Sequence, residues 1–522
     1  MKMNLVQLRI FSKGKIGISR STLSLALILL AAALCTALHD ICEPFWSDEI
    51  ITIAVCRLPN ATEIWRALEH AVDTNPPLFY LAARLTRHLL PSDYLGYRLP
   101  SLIGLLGTIL CIYMTLSKRM SRLSALAGAA FVLCTPLAQF ACEARPRALM
   151  IGCVSCAVLA WQRIEDSRLY AVLVTLSLGA ALSLHYYAFL VFPVFLAAEA
   201  SLWISQRRFR VSAWASIAAG ALPLLFFSKL VLAVRAYYGQ HFWAQPSVTQ
   251  MVLAHDYLFK LSGNWGLPVA FVITLAILYF SISNTAAPGH PLRLRAAVDA
   301  VKVEEKVLIL MFLWLPEIAT VLAKADHLGM TAPYMLPGII GCAMAIGFLI
   351  NRAPRAAGGL VLALFLMTYA LSSSVVVRRA LNGSLLEKRL AVSNEVQALE
   401  AETGQTGLPI VISDGIQYLQ MAFYASGDSA RQIYSVSDSA AAVVYSQSKT
   451  DSVDIALIIL RRYFPLQVDN FDEFVSRHHE FLLVGSGGGM EWLPTRLAHD
   501  GDDVRLLSMA GGNAVYRVTM KP

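Results

Sequence analysis

Apolar residues in this chain gather into long runs separated by short polar stretches, and the runs recur between residues 22 and 377. Runs over 22–38, 98–117, 123–141, 147–163, 169–184, 187–205, 211–233, 265–283, 306–323, 334–350 and 356–377 have the length a helix needs to cross a bilayer. They predict about eleven transmembrane helices. The first run follows Lys2, Arg9, Lys13, Lys15 and Arg20. It is long for the core of a signal peptide, lacks a clean small-residue cleavage site and precedes many further spans, so it reads as a retained helix.

The pattern changes over residues 40–97. Ile64, Trp65, Leu68, Ala71 and Val72 recur at helical spacing, with Glu63, Arg66, Glu69 and Asp73 between them. After Pro76 and Pro77, Leu78, Leu81, Leu85 and Leu89 form one stripe, with Arg84 and Arg87 off it. Both stretches predict amphipathic helices lying at a membrane interface, the second with proline at its tolerated first position. The alternative, a short tilted span over 77–90, would invert every later loop.

Beyond residue 380 the runs shorten. Segments 408–413, 453–460, 481–484 and 514–519 read as strands, and 417–424, 437–447 and 472–479 as helices. The expected organisation is a membrane body over 1–380, with 40–97 as an external loop, and a small extracytoplasmic α/β domain over 381–522. Gly487–Gly488–Gly489 has no Lys-Ser/Thr partner and reads as a turn.

Composition supports this division. The chain of 522 residues is 57% hydrophobic and 15% charged, against about 25% charged in soluble domains. Residues 1–380 carry a net charge of +14, and residues 381–522 carry −6. With the N-terminus in the cytoplasm, the basic groups Lys118/Arg119/Arg122, Arg163/Arg168, Arg207/Arg208/Arg210, Arg293/Arg295/Lys302/Lys306 and Arg352/Arg355 all fall in cytoplasmic loops, as the positive-inside rule requires. The cations are spread over many loops with no aromatic-rich basic face, which argues against nucleic acid as a partner. The nine cysteines are scattered and give no disulfide framework; Cys42 and Cys56 share one candidate external loop, where a bond between them is the minority reading.

Candidate chemistry begins after the first helix, in Glu43-Pro44-Phe45-Trp46-Ser47-Asp48-Glu49. Carboxylates this close to hydrocarbon are costly unless solvated, paired or used, and a helix cap at Asp48 is the simplest structural reading. The third span ends at the same surface with Glu143-Ala144-Arg145-Pro146-Arg147, for which an interfacial ion pair with snorkelling arginines is the structural alternative. Together the two clusters put acids and phosphate-matching guanidiniums on one side of the membrane. That set suits transfer from a phosphate-bearing donor: a carboxylate takes a proton from an acceptor hydroxyl and arginines hold the departing phosphate.

At these residues the chain resembles the GT-C fold glycosyltransferases that use polyprenyl-phosphate sugars, the broad group of protein O-mannosyltransferases and aminoarabinose transferases. The matching pieces are Trp46-Ser47-Asp48-Glu49, Asn75-Pro76-Pro77-Leu78-Phe79-Tyr80, Arg98-Leu99-Pro100-Ser101, Glu143-Ala144-Arg145, His185-Tyr186-Tyr187 and Tyr334-Met335-Leu336-Pro337. The resemblance implies a multi-pass protein of the bacterial inner membrane that transfers a hexose or pentose, with inversion, to an envelope glycan, lipid or protein. It implies Asp48 as general base with Glu49 beside it, Glu143 as a second acid, and Arg145 near donor phosphate or acceptor. The chain departs from the family pattern at Asn75, Arg147 and Pro333, where His, an aromatic and Arg are common. Arg147, Lys324, His327, Lys260 and Arg235 are further phosphate candidates, and Tyr334 and His185 further site residues. Tyr237, Tyr238, Phe242, Trp243 and Tyr257 read as interfacial anchors. A divalent metal ion is compatible with this chemistry, but the sequence offers no ligand set that demands one. The rival readings are a lipid or lipid-linked-sugar transporter, for which Glu199 and Glu317 are the best placed acids, and a non-catalytic envelope scaffold.

Overall fold

The computed structural model describes residues 19–238, 243–258, 266–283, 301–326, 329–383, 387, 391–392, 394–399, 401, 406–425, 432–486, 489–510 and 513–521. Lys260, His327, Phe242 and two glycines of the 487–489 run lie outside them.

All the long apolar runs are largely helical among these residues. Arg20–Cys42, Asp93–Ser117, Tyr186–Gln206 and Arg355–Leu381 are long and apolar enough to cross a membrane. Counting each of two bent pairs as one span brings the four to six. The pairs are Val211–Phe226 with Ser228–Tyr238, bent by 55°, and Val303–Leu313 with Leu315–Ala325, bent by 58°. Other expected spans form shorter apolar helices, such as Arg147–Trp161 and Gly338–Ile350, so the described residues do not confirm eleven full-length spans. Proline explains much of the shortfall. Pro136, Pro146, Pro316 and Pro337 sit where helices break or begin, because proline lacks the N–H that continues a helix.

The helices that shape the site are α1 (Arg20–Cys42), α2 (Ser47–Cys56), α3 (Ala61–Glu69), α4 (Leu78–Leu89) and α5 (Asp93–Ser117). They are followed by α6 (Arg122–Phe131), the single turn α7 (Leu137–Phe140) and α8 (Arg147–Trp161). The amphipathic helices expected in 63–90 are α3 and α4. They bury Ile64, Ala67 and Leu68, and Phe79, Tyr80 and Ala83. The stripe of α3 stops early: Ala71 has a φ of 54°, so Asp73 lies in the following loop rather than on a helix face.

α5 and α8 approach through Gly104 and Gly152. A β-carbon on Gly104 would lie 2.3 Å from the Ala148 carbonyl oxygen, so only small residues permit this crossing. At the far end of α5, expected cytoplasmic loops meet: Lys118 pairs with Asp166, Arg119 with Glu305, and Arg208 with Glu165. Arg98, which belongs to the site, sits near the other end of the same helix.

The tail carries a six-stranded mixed sheet in the order β3-β2-β1-β4-β6-β5. Its strands are β1 (Ile410–Ile412), β2 (Ile433–Ser437), β3 (Val468–Asn470), β4 (Glu480–Gly485), β5 (Asp503–Ala510) and β6 (Asn513–Thr519). β1 to β4 pair in parallel, and β6 runs antiparallel to β4 and β5. The two faces of the sheet belong to different cores, as period-2 alternation dictates. Ile410, Ile412, Leu482 and Val484 join the core that continues into the helical body, whereas Val411, Phe481 and Leu483 pack with Phe474 and Trp492 in a separate cluster.

Segment 453–460, read as a strand, is the helix Ser452–Leu460. Its β-branched run is too short for periodicity to separate strand from helix. Burial of Asp454, Leu457 and Leu460 on one helical face decides the outcome. β2, β3, β5 and the helix Leu493–Asp500 have weak patterns and were not anticipated. None of the nine cysteines forms a disulfide, Cys42 and Cys56 included.

Candidate active site

After α1 the chain turns through Glu43–Trp46 and re-enters helix at Ser47. Asp48 and Glu49 occupy the first turn of α2, where carboxylates complement the helix dipole. Adjacent residues on a helix point about 100° apart, and these two meet opposite surroundings. The Glu49 side chain is 1% exposed and forms a bidentate pair with Arg98, through Nε to Oε1 and Nη2 to Oε2, each at 2.7 Å. It also accepts from the backbone N–H of Ala144 at 2.6 Å and of Trp46 at 3.3 Å. Arg98 donates further to the carbonyls of Asp40, Glu43 and Pro44. Glu49 therefore ties α2, α5 and the 143–147 loop together. The Asp48 side chain is 33% exposed and opens onto a cavity.

The second cluster is held against the first by the α5–α8 crossing. Ser101 Oγ donates to the Arg145 carbonyl at 2.8 Å. The Arg145 guanidinium then reaches back to α2 and to the loop after α3. It pairs with Asp73 at 2.6 and 3.3 Å, donates to Thr52 Oγ1 at 3.0 Å and to the Asp48 carbonyl at 3.1 Å, and lies 3.5 Å from Asp48 Oδ2. Asp73 is fixed in turn by the N–H of Thr74 at 2.6 Å and the side-chain amide of Asn75 at 3.1 Å. Asn75 thus orients a buried carboxylate at the position where the family often has His.

Arg147 is held more loosely. Its Nη1 lies 3.5 Å from Glu143 Oε2, its guanidinium carbon is 5.0 Å from the centre of the Phe140 ring, and its buried Nε has no hydrogen-bond partner among the described residues. Burial pushes the Glu143 carboxyl up to about 7; Arg147 opposes the rise, and Glu49 and Asp48 add to it.

These residues surround a cavity of ≈ 560 Å³. One side carries Trp46, Asp48, Asp73, Glu143, Arg145 and Arg147. Tyr238, Trp243, Tyr257 and Tyr334 add an aromatic side. The tail supplies a further part of the lining: Ile416, Leu419, Val453, Ala456, Leu457 and Leu460 are among its members. The tail is fastened to the turn just before Asp48. Tyr424 Oη accepts from the Phe45 N–H at 2.8 Å, and the Gln420 amide donates to the Phe45 carbonyl at 3.0 Å. None of the acids around this cavity belongs to a group of three or more potential metal ligands among the described residues.

Of the residues singled out in the sequence, Asp48, Glu143, Arg145, Arg147 and Tyr334 meet at the cavity. Glu49 is not on its wall. His185 stands behind Tyr334, their ring centres 5.4 Å apart, and burial, then Arg147 and Arg145, push its imidazole down to about 3, so the ring is neutral. Tyr187 stacks on Tyr334 at 4.0 Å. Lys324 and Arg235 are exposed and off the wall. Tyr238, Trp243 and Tyr257, read as interfacial anchors, line the cavity instead. The acids best placed for a transporter are engaged elsewhere: Glu199 accepts from Trp161 and Arg210, and Glu317 pairs with His255. Sequence reading missed Asp73, assigned to the polar face of a helix, and the structural weight of Arg98, which was visible only as part of a motif.

Residues 74–232 match the family model described as dolichyl-phosphate-mannose-protein mannosyltransferase. The matched segment holds Asn75, Arg98, Glu143, Arg145, Arg147 and His185, and leaves Asp48 and Tyr334 outside. No curated protein matches the chain in sequence. The fold is similar to that of ArnT from Cupriavidus metallidurans in the apo state, at a TM-score of 0.59 and 11% identity, covering 96% of this chain and 98% of that one. It is similar also to the same protein bound to undecaprenyl phosphate, at 0.53 and 12%, covering 95% and 98%. The resemblance that the motifs carried, to the GT-C glycosyltransferases with polyprenyl-phosphate donors, is borne out in the fold along nearly the whole chain and in the family model over residues 74–232.

Proposed function

We propose that this chain is a membrane glycosyltransferase that moves a hexose or pentose from a polyprenyl-phosphate donor to a hydroxyl of an envelope glycan, lipid or protein, inverting the anomeric centre. The observation that carries this reading is the convergence of Asp48, Glu143 and the loosely paired Arg147 on one cavity. In this reading Asp48 accepts the proton of the acceptor hydroxyl. The new bond from acceptor oxygen to anomeric carbon forms as the bond to the phosphate oxygen breaks on the opposite face, and the electron pair leaves with the phosphate. A departing phosphate needs positive charge more than it needs an acid. Arg147 fits that task better than Arg145, because Arg145 is neutralised by Asp73 at 2.6 Å while the nearest carboxylate oxygen to Arg147 stands at 3.5 Å. Arg145 and Asp73 then act as positioning residues that hold the backbone and side chain of Asp48. The tail closes the cavity and contributes to acceptor choice. The basic loops support a cytoplasmic N-terminus, with cavity and tail outside.

The test is biochemical. Purified protein in lipid vesicles receives radiolabelled polyprenyl-phosphate pentoses and hexoses with an envelope extract. Release of polyprenyl phosphate with label on a new acceptor is expected. An intact donor across the whole donor panel, with folded protein, would refute the reading, and movement of intact donor between leaflets would favour transport instead.

A further inference from the structure

A separate cluster lies behind Arg98, away from the cavity. His39 and Asp40 lie in the last turn of α1, and Cys142 sits in the loop between α7 and α8. Their ligand atoms all lie within 4.8 Å of one another. Asp40 is 1% exposed, and apart from the Cys142 thiol that faces it, neither of its carboxylate oxygens has a hydrogen-bond partner among the described residues. An ionised carboxylate left so is expensive. Either a proton or a cation must offset it. The Arg98 guanidinium offsets it only in part: it bonds the Asp40 backbone carbonyl at 2.7 Å and is already paired with Glu49.

We propose that His39, Asp40 and Cys142 form a binding site for a divalent metal ion of the zinc type. One imidazole nitrogen, one thiolate sulfur and one carboxylate oxygen are a borderline-soft donor set, which suits zinc and disfavours magnesium or calcium. Zinc–ligand bonds of about 2.0–2.3 Å require the three atoms to draw together slightly from their present spacing. His39 and Cys142 both line a cavity of ≈ 140 Å³ together with Thr36 and Gln139, which leaves room for a water molecule as fourth ligand. Binding converts the Cys142 thiol to thiolate, with its proton released to solvent. The Cys142 thiol gives up a long contact with the Ala138 carbonyl, at 3.6 Å, and the hydrogen bond its proton makes toward the Asp40 carboxylate. The ion would clamp the end of α1 to the residue immediately before Glu143. It would act on the transfer site by fixing that loop, without touching the substrate.

The experiment uses the full-length protein in detergent, stripped with chelator and then dialysed against Zn²⁺, or against Mg²⁺ as the contrasting ion. One zinc per chain and no retained magnesium are expected, and cobalt substitution should give a thiolate-to-metal charge-transfer band in the near ultraviolet. Cys142→Ser and Asp40→Asn should weaken zinc binding by about 100-fold or more and abolish the band, while Cys35→Ser, in the same cavity but outside the cluster, keeps both. Should a variant fail to fold, the wild-type protein still decides the matter: zinc must slow maleimide labelling of Cys142. Stripped wild-type protein that takes up no zinc, zinc retained equally by Cys142→Ser, or Cys142 labelling unaffected by zinc would each overturn the proposal.

Discussion

The two sides of the cavity are built on different physics. The side from residues 46–147 is a lattice of charge: Glu49 on Arg98, Arg145 on Asp73 and Asp48, Arg147 on Glu143, with partners 2.6 to 3.5 Å apart. The side from the tail is apolar, formed by two helices whose inner faces offer Ile416, Leu419, Val453 and Ala456. Charges can direct a proton or a phosphate only if their own positions are set, and here each has a neighbour of opposite sign, closest around Glu49 and Arg145 and most distant at Arg147. An apolar surface gives shape and excludes water, which strengthens those charges. The comparison assigns chemistry to the first side and fit to the second, and each assignment can be broken separately.

The largest expected effect is structural. Arg98→Met removes one partner of a fully buried pair and leaves Glu49 uncompensated, at a cost of about 3–5 kcal/mol. Thermal unfolding in detergent should show the loss; an unchanged midpoint would mean that the lattice does not hold the site. Next comes Arg147→Ala, expected to weaken donor binding by about 10- to 100-fold, the range of a hydrogen bond to a charged group. Arg147→Lys should recover part of it, and isothermal titration with polyprenyl phosphate reads both. On the apolar side, Ala456→Trp should raise the acceptor KM several-fold with donor affinity unchanged, and an equal effect on both would erase the division of labour.

The smallest effect concerns the tail alone. Burial raises the Asp454 carboxyl to about 7, even though it accepts bonds from the Asp438 N–H at 3.1 Å and Trp492 Nε1 at 3.0 Å. Its folded pKa lies above its unfolded value, so the stabilisation is full below about pH 4 and lost as pH rises through about 7. Melting of the tail should fall between pH 5 and 8, and Asp454→Asn should flatten that dependence.

How much of this was legible in the sequence follows the same division. The first side was visible as short motifs, because catalysis and ion pairing demand particular residue types: Asp48, Glu143, Arg145 and Arg147 were all singled out. The partition between Asp48 and Glu49 was not, since it depends on which way a helix faces. Asp73 was hidden by a stripe that seemed to continue past Glu69 until the backbone of Ala71 ended it. The apolar side was nearly invisible. Ser452–Leu460 reads as a strand by composition, and nothing in Ile416 or Ala456 distinguishes a cavity wall from a core. The helical runs were plain, but hydropathy does not register the proline breaks that shorten them.

The most direct test of the central claim is a single-turnover measurement on Asp48→Asn with a polyprenyl-phosphate sugar that the wild-type protein consumes. Loss of a general base should slow transfer by about 10²- to 10⁴-fold while donor affinity stays within about twofold, because Arg147 and the apolar wall are untouched. Transfer at the wild-type rate by folded Asp48→Asn protein would contradict the account.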